Sequence, residues 1–197
     1  MTKEQITVLL AVLGIILILI VCFSLIKKKQ SGQKKLASLL GGFASIRSFK
    51  VINNIDLPLK NGAYTHIDHI LIGFFGVMVL ENCELGGIIY GDTRDKEWVS
   101  VITKDNIDKK ARFKNPLNEN QEHIEALRGI FQKENIYKIS IESYGVFTNP
   151  KAQLSVSPNL PVMDLKTFKK LLKKDKYSET GPIDVETVYN AIIKNVE

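Results

Sequence analysis

A long run of uncharged, apolar residues near the N-terminus constrains this chain more than any other feature of its sequence. Residues 6–26 read ITVLLAVLGIILILIVCFSLI and contain no charged side chain. At about 1.5 Å per helical residue, about twenty residues span the roughly 30 Å hydrocarbon core of a bilayer. The run therefore predicts one transmembrane helix over residues 6–26, preceded by a short extracytoplasmic N-terminus, residues 1–5.

Two other interpretations of this run are less favoured. A secretory signal peptide needs a basic n-region, a shorter apolar core and a small-residue cleavage site. The N-terminus carries only Lys3 against Glu4, and no A-x-A pattern follows the run. A lipoprotein processing site at Cys22 is weaker still, because bulky Val21 stands where a small residue is wanted.

The residues that follow the run predict its orientation. Lys27, Lys28 and Lys29 come directly after it, and positive residues are retained on the cytoplasmic side of a membrane. We therefore expect a single-pass protein of the cell membrane whose C-terminal part is cytoplasmic, with a basic and polar joint at residues 27–35 and one folded domain at residues 36–197. A reducing cytosol fits Cys83, which has no partner cysteine outside the apolar run and so predicts neither a disulfide nor a cysteine zinc cluster.

The net charge points to anionic partners. The chain has 27 Lys and Arg residues against 21 Asp and Glu residues, a formal charge of +6. Lys3 and Glu4 cancel, so this excess belongs to the part after the predicted helix. Such a balance favours DNA, RNA or the anionic inner leaflet of the membrane, and composition alone does not choose among them.

The rest of the chain alternates between helix and strand patterns. A short amphipathic helix is expected after the joint, ending near Gly41-Gly42. Further elements are predicted in this order: a strand at residues 49–59, β-rich runs at 64–73 and 76–83, a strand or loop through Trp98 and Val101, a helix from Pro116, strands at 136–147 and 160–163, a basic helix capped by Asp164, and a terminal helix at 184–196. This order predicts an α/β fold with a mixed central sheet flanked by helices.

The two β-rich runs bring two carboxylates together. If they form a hairpin symmetric about Phe74 and Phe75, Asp68 lies directly across from Glu81, although Phe-Phe is a poor two-residue turn and a longer loop is expected. Opposed side chains have Cβ atoms about 4.5 to 5.5 Å apart, where like charges repel. A divalent cation, a shared proton or a bulge would each relieve that repulsion.

Several motifs together resemble one known family. The stretch HIDHILIGFFGVMVLENCELGGIIYG, then Trp98, then FKNPLNENQEHIEAL resembles the nuclease-related domain called NERD, and the resemblance covers roughly residues 32–147. That family is related to the restriction-endonuclease-like fold with its D…E-x-K metal site. The resemblance implies that Asp68 and Glu81 correspond to the metal-binding carboxylates, which would hold Mg²⁺ near a scissile phosphate.

The sequence departs from the family's pattern at three polar positions. The lysine of E-x-K falls on Cys83, the carboxylate of an early Gly-Glu pair falls on Gln33, and the glutamine of the following helix falls on Glu119. A thiol lacks the permanent charge that stabilises a phosphoryl transition state. A cation from elsewhere could compensate, with Lys114, Arg112 and Arg94 as the candidates, which the sequence cannot place.

Three functions compete at this stage. The first is a membrane-tethered, metal-dependent nuclease, and the second is a degenerate or altered domain that binds nucleic acid. The third is a non-catalytic membrane scaffold that recruits a protein partner. The missing lysine favours the second and third. No nucleotide-binding loop, serine triad or zinc pattern supports a different enzyme.

The predicted orientation can be tested directly. In sealed cells, an external protease should leave the folded domain intact, because the lysine triplet follows only the C-terminal end of the apolar run. Immunoblotting against a C-terminal tag, with permeabilised cells as the positive control for digestion, measures this. Loss of the tagged domain from intact cells would reverse the orientation.

Overall fold

The fold is described from a computed structural model, for residues 31–177 and 180–196. The predicted transmembrane helix, residues 6–26, lies outside these residues. Within the described part of the chain, no helix is long and apolar enough to cross a membrane.

The described helices and strands follow one another along a single compact unit that runs from Gly32 to the C-terminus. In chain order they are α1 (Gly32–Ser45), β1 (Lys50–Pro58), β2 (Tyr64–Gly73), β3 (Gly76–Cys83), β4 (Gly87–Tyr90), β5 (Glu97–Lys104), β6 (Ile107–Lys114), α2 (Pro116–Lys133), β7 (Ile141–Phe147), β8 (Ala152–Leu154), β9 (Val162–Asp164), α3 (Leu165–Leu171), a 3₁₀ turn (Asp175–Tyr177) and α4 (Val185–Ile193).

A mixed five-stranded sheet forms the centre, in the order β1-β2-β3-β7-β9. The first three strands are antiparallel, whereas β7 runs parallel to both β3 and β9. Helix α2 leads from the second sheet to β7, and it packs with α4 on one face of the central sheet. Helices α1 and α3 pack on the other face. The prediction of a mixed sheet flanked by helices is confirmed.

The second sheet was not predicted. It has four strands in the order β6-β5-β4-β8, with β8 parallel to β4 and the other pairs antiparallel. In this region, the sequence predicted only a strand or loop through Trp98 and Val101. Strand β6 was not predicted because every one of its residues except Phe113 is exposed. Its sequence therefore shows almost no alternation between polar and apolar side chains.

Helix α1 is longer than predicted at both ends. It begins at Gly32, inside the segment expected to be a polar joint, and continues through Gly41-Gly42 to Ser45. Glycine in a helix costs about 1 kcal/mol relative to alanine. Leu36, Leu40 and Ala44 are buried against the central sheet, and this packing outweighs the low helix propensity of the two glycines.

The β2–β3 turn has only two residues, contrary to the longer loop that we expected. Gly73 pairs with Gly76, which has a positive φ of 117°. The turn rings are held by aromatic contacts, Phe74 with Phe49 and Phe75 with Tyr177, at centroid distances of 5.4 and 5.0 Å. Side-chain packing therefore stabilises a turn that its residue types alone disfavour.

A glycine beside the buried tryptophan gives a stability prediction. A Cβ added at Gly91 would lie 2.2 Å from Cγ of Trp98, whose side chain is fully buried. We expect Gly91→Ala to lower the free energy of unfolding by about 1 to 3 kcal/mol, the usual cost of overpacking. Gly129→Ala is the matched control, because no atom lies within 4 Å of its added Cβ. In the interior of α2 it should stabilise by up to about 1 kcal/mol. Urea unfolding measures both, and equal effects would contradict the packing argument.

Candidate functional site

The candidate site lies where β3 separates from β2. Their antiparallel pairing keeps the predicted register and ends at His69 with Leu80, whereas the other edge of β3 is paired with β7 from Val77 to Cys83. The carboxylate of Asp68 lies at the point of separation. Its Oδ2 accepts a hydrogen bond from the backbone N–H of Asn82 at 2.8 Å, and its Oδ1 accepts one from Nε2 of Gln33 at 3.1 Å. Asp68 thus replaces a strand as the partner of Asn82.

The β1–β2 pair is distorted at the same level. Asn54 has a positive φ of 52°, and its side-chain oxygen accepts a second hydrogen bond from Gln33 at 2.5 Å. Ile52 and Ile55, three positions apart, contribute to one core cluster, as do Ile67 and Ile70. The regular alternation of side chains along β2 is therefore interrupted around Asp68. Distortions of this kind are frequent next to functional sites, where they re-aim a side chain.

Glu81 lies in an environment that opposes its ionisation. Burial, followed by the charges of Asp68 and Glu119, raises the pKa of Glu81 to about 8, and Lys114 partly offsets the shift. At neutral pH the Glu81 side chain is therefore mostly protonated. The raised pKa of Glu81 favours a proton as one way to relieve the carboxylate repulsion.

Lys114 and Glu119 join the site from the β6–α2 connection. Nζ of Lys114 lies 3.2 Å from Oε1 of Glu119, and the same lysine acts on Glu81. The two other candidate cations lie elsewhere, since Arg112 faces Glu97 at 3.7 Å and Arg94 acts electrostatically on Asp92. Of the candidates proposed from the sequence, Lys114 is therefore the cation at the carboxylates.

Buried Asn115 fixes the position of this connection. Its Oδ1 accepts from the N–H of Leu117 and so caps α2. Its Nδ2 donates to the carbonyl oxygens of Asp92 and Asp95, at 3.1 and 2.8 Å. One side chain therefore ties the start of α2 to the loop between β4 and β5.

Cys83 is close to the carboxylates but chemically quiet. It is buried in an apolar cluster with Ile89, Trp98 and Phe147, and burial, followed by the electrostatic effect of the neighbouring carboxyl groups, raises the pKa of its thiol. The thiol stays protonated and supplies no charge. Cys83 thus behaves as a small buried hydrophobe, and Trp98 as a core aromatic.

Gln33 is also part of the site, and its position depends on the preceding glycine. A Cβ at Gly32 would lie 1.8 Å from Oγ1 of Thr148, so a larger residue there would push the start of α1 away from the end of β7. The backbone N–H of Gln33 donates to Glu84 at 2.9 Å. Carboxylates favour helix N-termini because the free N–H groups there are positive. The structure therefore brings together Asp68, Glu81, Gln33 and Glu119, with Cys83 alongside.

Two buried polar side chains of α2 were not predicted from the sequence, and one of them, His123, interacts electrostatically with Asp68. Asn120 and His123 are buried on the inner side of α2. The amide of Asn120 and Nδ1 of His123 have no hydrogen-bond partner among the described residues. Burial lowers the pKa of His123 to about 4, although a backbone hydrogen bond with His66 and the charge of Asp68 oppose the shift. The helical spacing of these two residues was visible, but nothing in the pattern separates them from ordinary helix polar residues.

The two histidines of β2 have separate surroundings. His66 is exposed and its Nδ1 lies 2.9 Å from Asp56. His69 is fully buried and its Nδ1 lies 2.7 Å from Oδ1 of Asn53. Neither contact joins them in one ligand set.

The donors at the site suit a hard cation better than a soft one. Among the described residues, no group of three or more His, Cys, Asp and Glu side chains is placed to hold a metal ion. Mg²⁺ does not need such a cage, since it commonly uses one or two carboxylates, waters and substrate phosphates. Asp68 and Glu81 meet that requirement, and the unpaired buried amide of Asn120 is the kind of group that pairs with ordered water.

Together, the mixed α/β fold and the carboxylates at the separating strands define a domain of nuclease-related type. Residues 28–148 match the family model for the nuclease-related domain. This match covers more than half of the chain, which therefore belongs to the NERD family.

The chain is also similar in sequence to a bacterial protein. The chain is 31% identical over 132 residues to an uncharacterized protein of Bacillus anthracis, a stretch that covers 64% of this chain and 60% of that protein. The chain thus spans less than two thirds of the length of this relative. No solved structure matches the chain significantly.

Glu81 makes stability depend on pH. Its pKa rises from an ordinary 4.5 to about 8 on folding, so between these values the folded protein keeps a proton that the unfolded chain has lost. The free energy of unfolding should therefore fall as pH rises through this window, by up to about 1.4 kcal/mol per pH unit. His123 contributes only below its ordinary value of 6.5, which leaves Glu81 to act above it.

The measurement is urea unfolding in EDTA at pH 6.5 and pH 8. Glu81→Gln should flatten the decrease in stability, because a neutral amide has no proton to lose. Glu125→Gln, an exposed carboxylate on α2, should retain the full decrease. A Glu81→Gln variant with the wild-type pH slope would show that Glu81 is already ionised at neutral pH.

Proposed function

We propose that this chain is a membrane-anchored nucleic-acid-binding protein whose NERD domain has an altered, metal-dependent phosphodiesterase site. One observation carries the proposal: Asp68, Glu81 and Glu119 converge at the separating strands with Lys114 beside them. A cluster of carboxylates that holds an unfavourable charge is suited to a cation and to a phosphate that the cation would neutralise.

The metal would be Mg²⁺, held by Asp68 and Glu81. When bound, it would polarise a phosphoryl oxygen and lower the pKa of an attacking water. Binding would require Glu81 to lose its proton, so cation affinity should increase with pH. Gln33 keeps the carboxylate of Asp68 oriented through its hydrogen bond.

Lys114 takes the part that the family's E-x-K lysine would have played. A cation near the scissile group stabilises the charge that develops in the transition state. Residue 83 cannot supply that cation, because its thiol is buried and protonated. Lys114 comes from a different strand and is exposed, so it can follow a phosphate into place while Glu119 holds it near the site.

The order of elements also supports the finer fold assignment. A helix, three antiparallel strands, a helix and a strand parallel to the third make up the central layers. This is the arrangement expected of the restriction-endonuclease-like fold that the family resemblance implied. With the predicted helix at residues 6–26 as anchor, the domain would act at the cytoplasmic surface of the cell membrane.

Binding without cleavage is the second candidate function. It is favoured by the hydrogen bonds that occupy both oxygens of Asp68 and by the proton on Glu81. In that case the centre would recognise a phosphate, and the domain would hold nucleic acid at the membrane.

The decisive assay uses the full chain with single-stranded DNA, plasmid and RNA, in Mg²⁺, Mn²⁺ or EDTA. We expect metal-dependent cleavage that Asp68→Asn abolishes, because the amide can still accept the bond from Asn82 but binds a cation poorly. Glu125→Gln should retain activity. Metal-independent binding with no cleavage by any form would establish the second function, and no binding at all would leave the protein scaffold.

Lys114 can be tested by moving its charge. Lys114→Gln should reduce cleavage about 100- to 1000-fold, the usual effect of removing one transition-state donor. Cys83→Lys should restore much of the loss in the double variant, since residue 83 is two beyond Glu81 on the same strand. Cys83→Met fills similar space without a charge and should not rescue. Thermal unfolding confirms that each variant folds, and rescue by methionine would refute an electrostatic role.

A further inference from the structure

The second sheet has one face directed away from the core. Strand register places its side chains in two rows across β4, β5 and β6. We call this the outer face, formed by Tyr90, Val99 and Arg112 in one row and Ile88, Val101 and Lys110 in the next. The alternate residues, such as Ile89, Trp98 and Phe113, belong to the buried cluster on the other side.

The outer face combines an aromatic ring, an apolar floor and a cationic edge. Tyr90 is 45% exposed, and Ile88, Val99 and Val101 are half-buried beside it. A tyrosine and three aliphatic side chains are thus accessible on one face of the sheet, while Ile89 on the opposite face of β4 is buried in the core. A contiguous accessible apolar patch of this kind points to a binding surface. The composition resembles a stacking platform more than a simple solvated surface.

The cationic edge runs along one strand toward the candidate site. Lys110, Arg112 and Lys114 are alternate residues of β6 and therefore project to the same side, about 6.5 to 7 Å apart. Glu97 lies 3.7 Å from Arg112, with both side chains more than half exposed, so this pair is weak and readily exchanged for a phosphate. The row ends at Lys114, which contacts Glu119.

We propose that the outer face binds a single strand of nucleic acid and leads it to the carboxylate site. A base stacks on Tyr90, while Lys110 and Arg112 contact successive phosphates and Lys114 delivers the next one to Asp68 and Glu81. This inference rests on the proposed function, and it adds the substrate class and the path by which the strand enters.

A single strand fits this face better than a duplex. Stacking on an exposed tyrosine requires an unpaired base, which a duplex does not offer. A duplex would use the cations but leave Tyr90 unused, so the contribution of the ring distinguishes the two.

Tyr90 provides the first test. Fluorescence anisotropy with labelled single-stranded DNA and RNA, using the full chain in EDTA, reports binding without cleavage. Tyr90→Leu should weaken binding about 5- to 150-fold, the range for losing one base–aromatic stack, while Tyr90→Phe should bind nearly as wild type does. Tyr137→Leu is the matched control, because Tyr137 is 66% exposed and lies after α2 in the chain, not on the outer face. All three substitutions should change the affinity for duplex DNA very little.

The cations provide the second test. Lys110→Gln should reduce the slope of log affinity against log salt by about 0.7, the value for one phosphate contact on a single strand. Lys169→Gln, an exposed lysine of α3, should leave the slope unchanged.

The possible results separate this inference from the proposed function. If Tyr90→Leu and Lys110→Gln bind nucleic acid as the wild type does, the proposed role of the outer face is wrong. The proposed carboxylate site is unaffected by that result. Wild-type binding to duplex alone would also overturn the proposed role of the outer face. Asp68→Asn should lose cleavage but keep binding, and the absence of all nucleic-acid binding by the wild type would overturn both proposals. Circular dichroism and thermal unfolding verify that Tyr90→Leu is folded, and the salt dependence of Lys110→Gln still tests the outer face if it is not.

Discussion

The hydrogen bond from the backbone N–H of Asn82 to the carboxylate of Asp68 lets β3 extend past the end of its pairing with β2, while β7 stays paired along the opposite edge of β3. A strand that leaves its partner inside a protein exposes N–H groups whose burial without a partner costs free energy. Asp68 satisfies one of these groups on the edge of β3 that β2 leaves, while β7 remains paired with the other edge. The space between the separating strands is where Glu81, Glu119 and Lys114 approach. The structural role of Asp68 and its proposed chemical role are therefore two uses of the same carboxylate.

Two ionisable groups near this opening, Glu81 and His123, have pKa values shifted toward their neutral forms. Glu81 avoids repulsion by keeping a proton, and His123 avoids an isolated buried positive charge by losing one. Both adjustments leave neutral polar groups at the sheet, ready to change state when an ion or phosphate enters. A buried apolar site would be more stable, but it would have no such response. The NERD family assignment gives this arrangement its biochemical context.

Local patterns predicted most of the central layer because its residues express their environment in sequence. The β-rich runs of β2 and β3, the proline at the start of α2 and the aspartate caps of α3 and α4 all have direct local causes, and the hairpin register, which holds as far as His69 with Leu80, followed from hairpin symmetry. The second sheet could not be predicted in the same way, since exposed β6 has no apolar rhythm and short β8 pairs across a long separation in sequence. Nor could sequence choose Lys114 over Arg112, because both project to the same side of β6 and only tertiary packing places Lys114 beside Glu119 and Arg112 beside Glu97.

Asn115 gives the loop between β4 and β5 influence over chemistry that the loop does not touch. Its amide is held by the carbonyl oxygens of Asp92 and Asp95, and its oxygen begins the helix that carries Glu119. Lys114 precedes it by one residue. A change in the length or curvature of this loop would shift the helix start and both charged side chains as a unit. Evolution could thus retune the centre by editing a surface loop, with every charged residue of the centre left in the sequence.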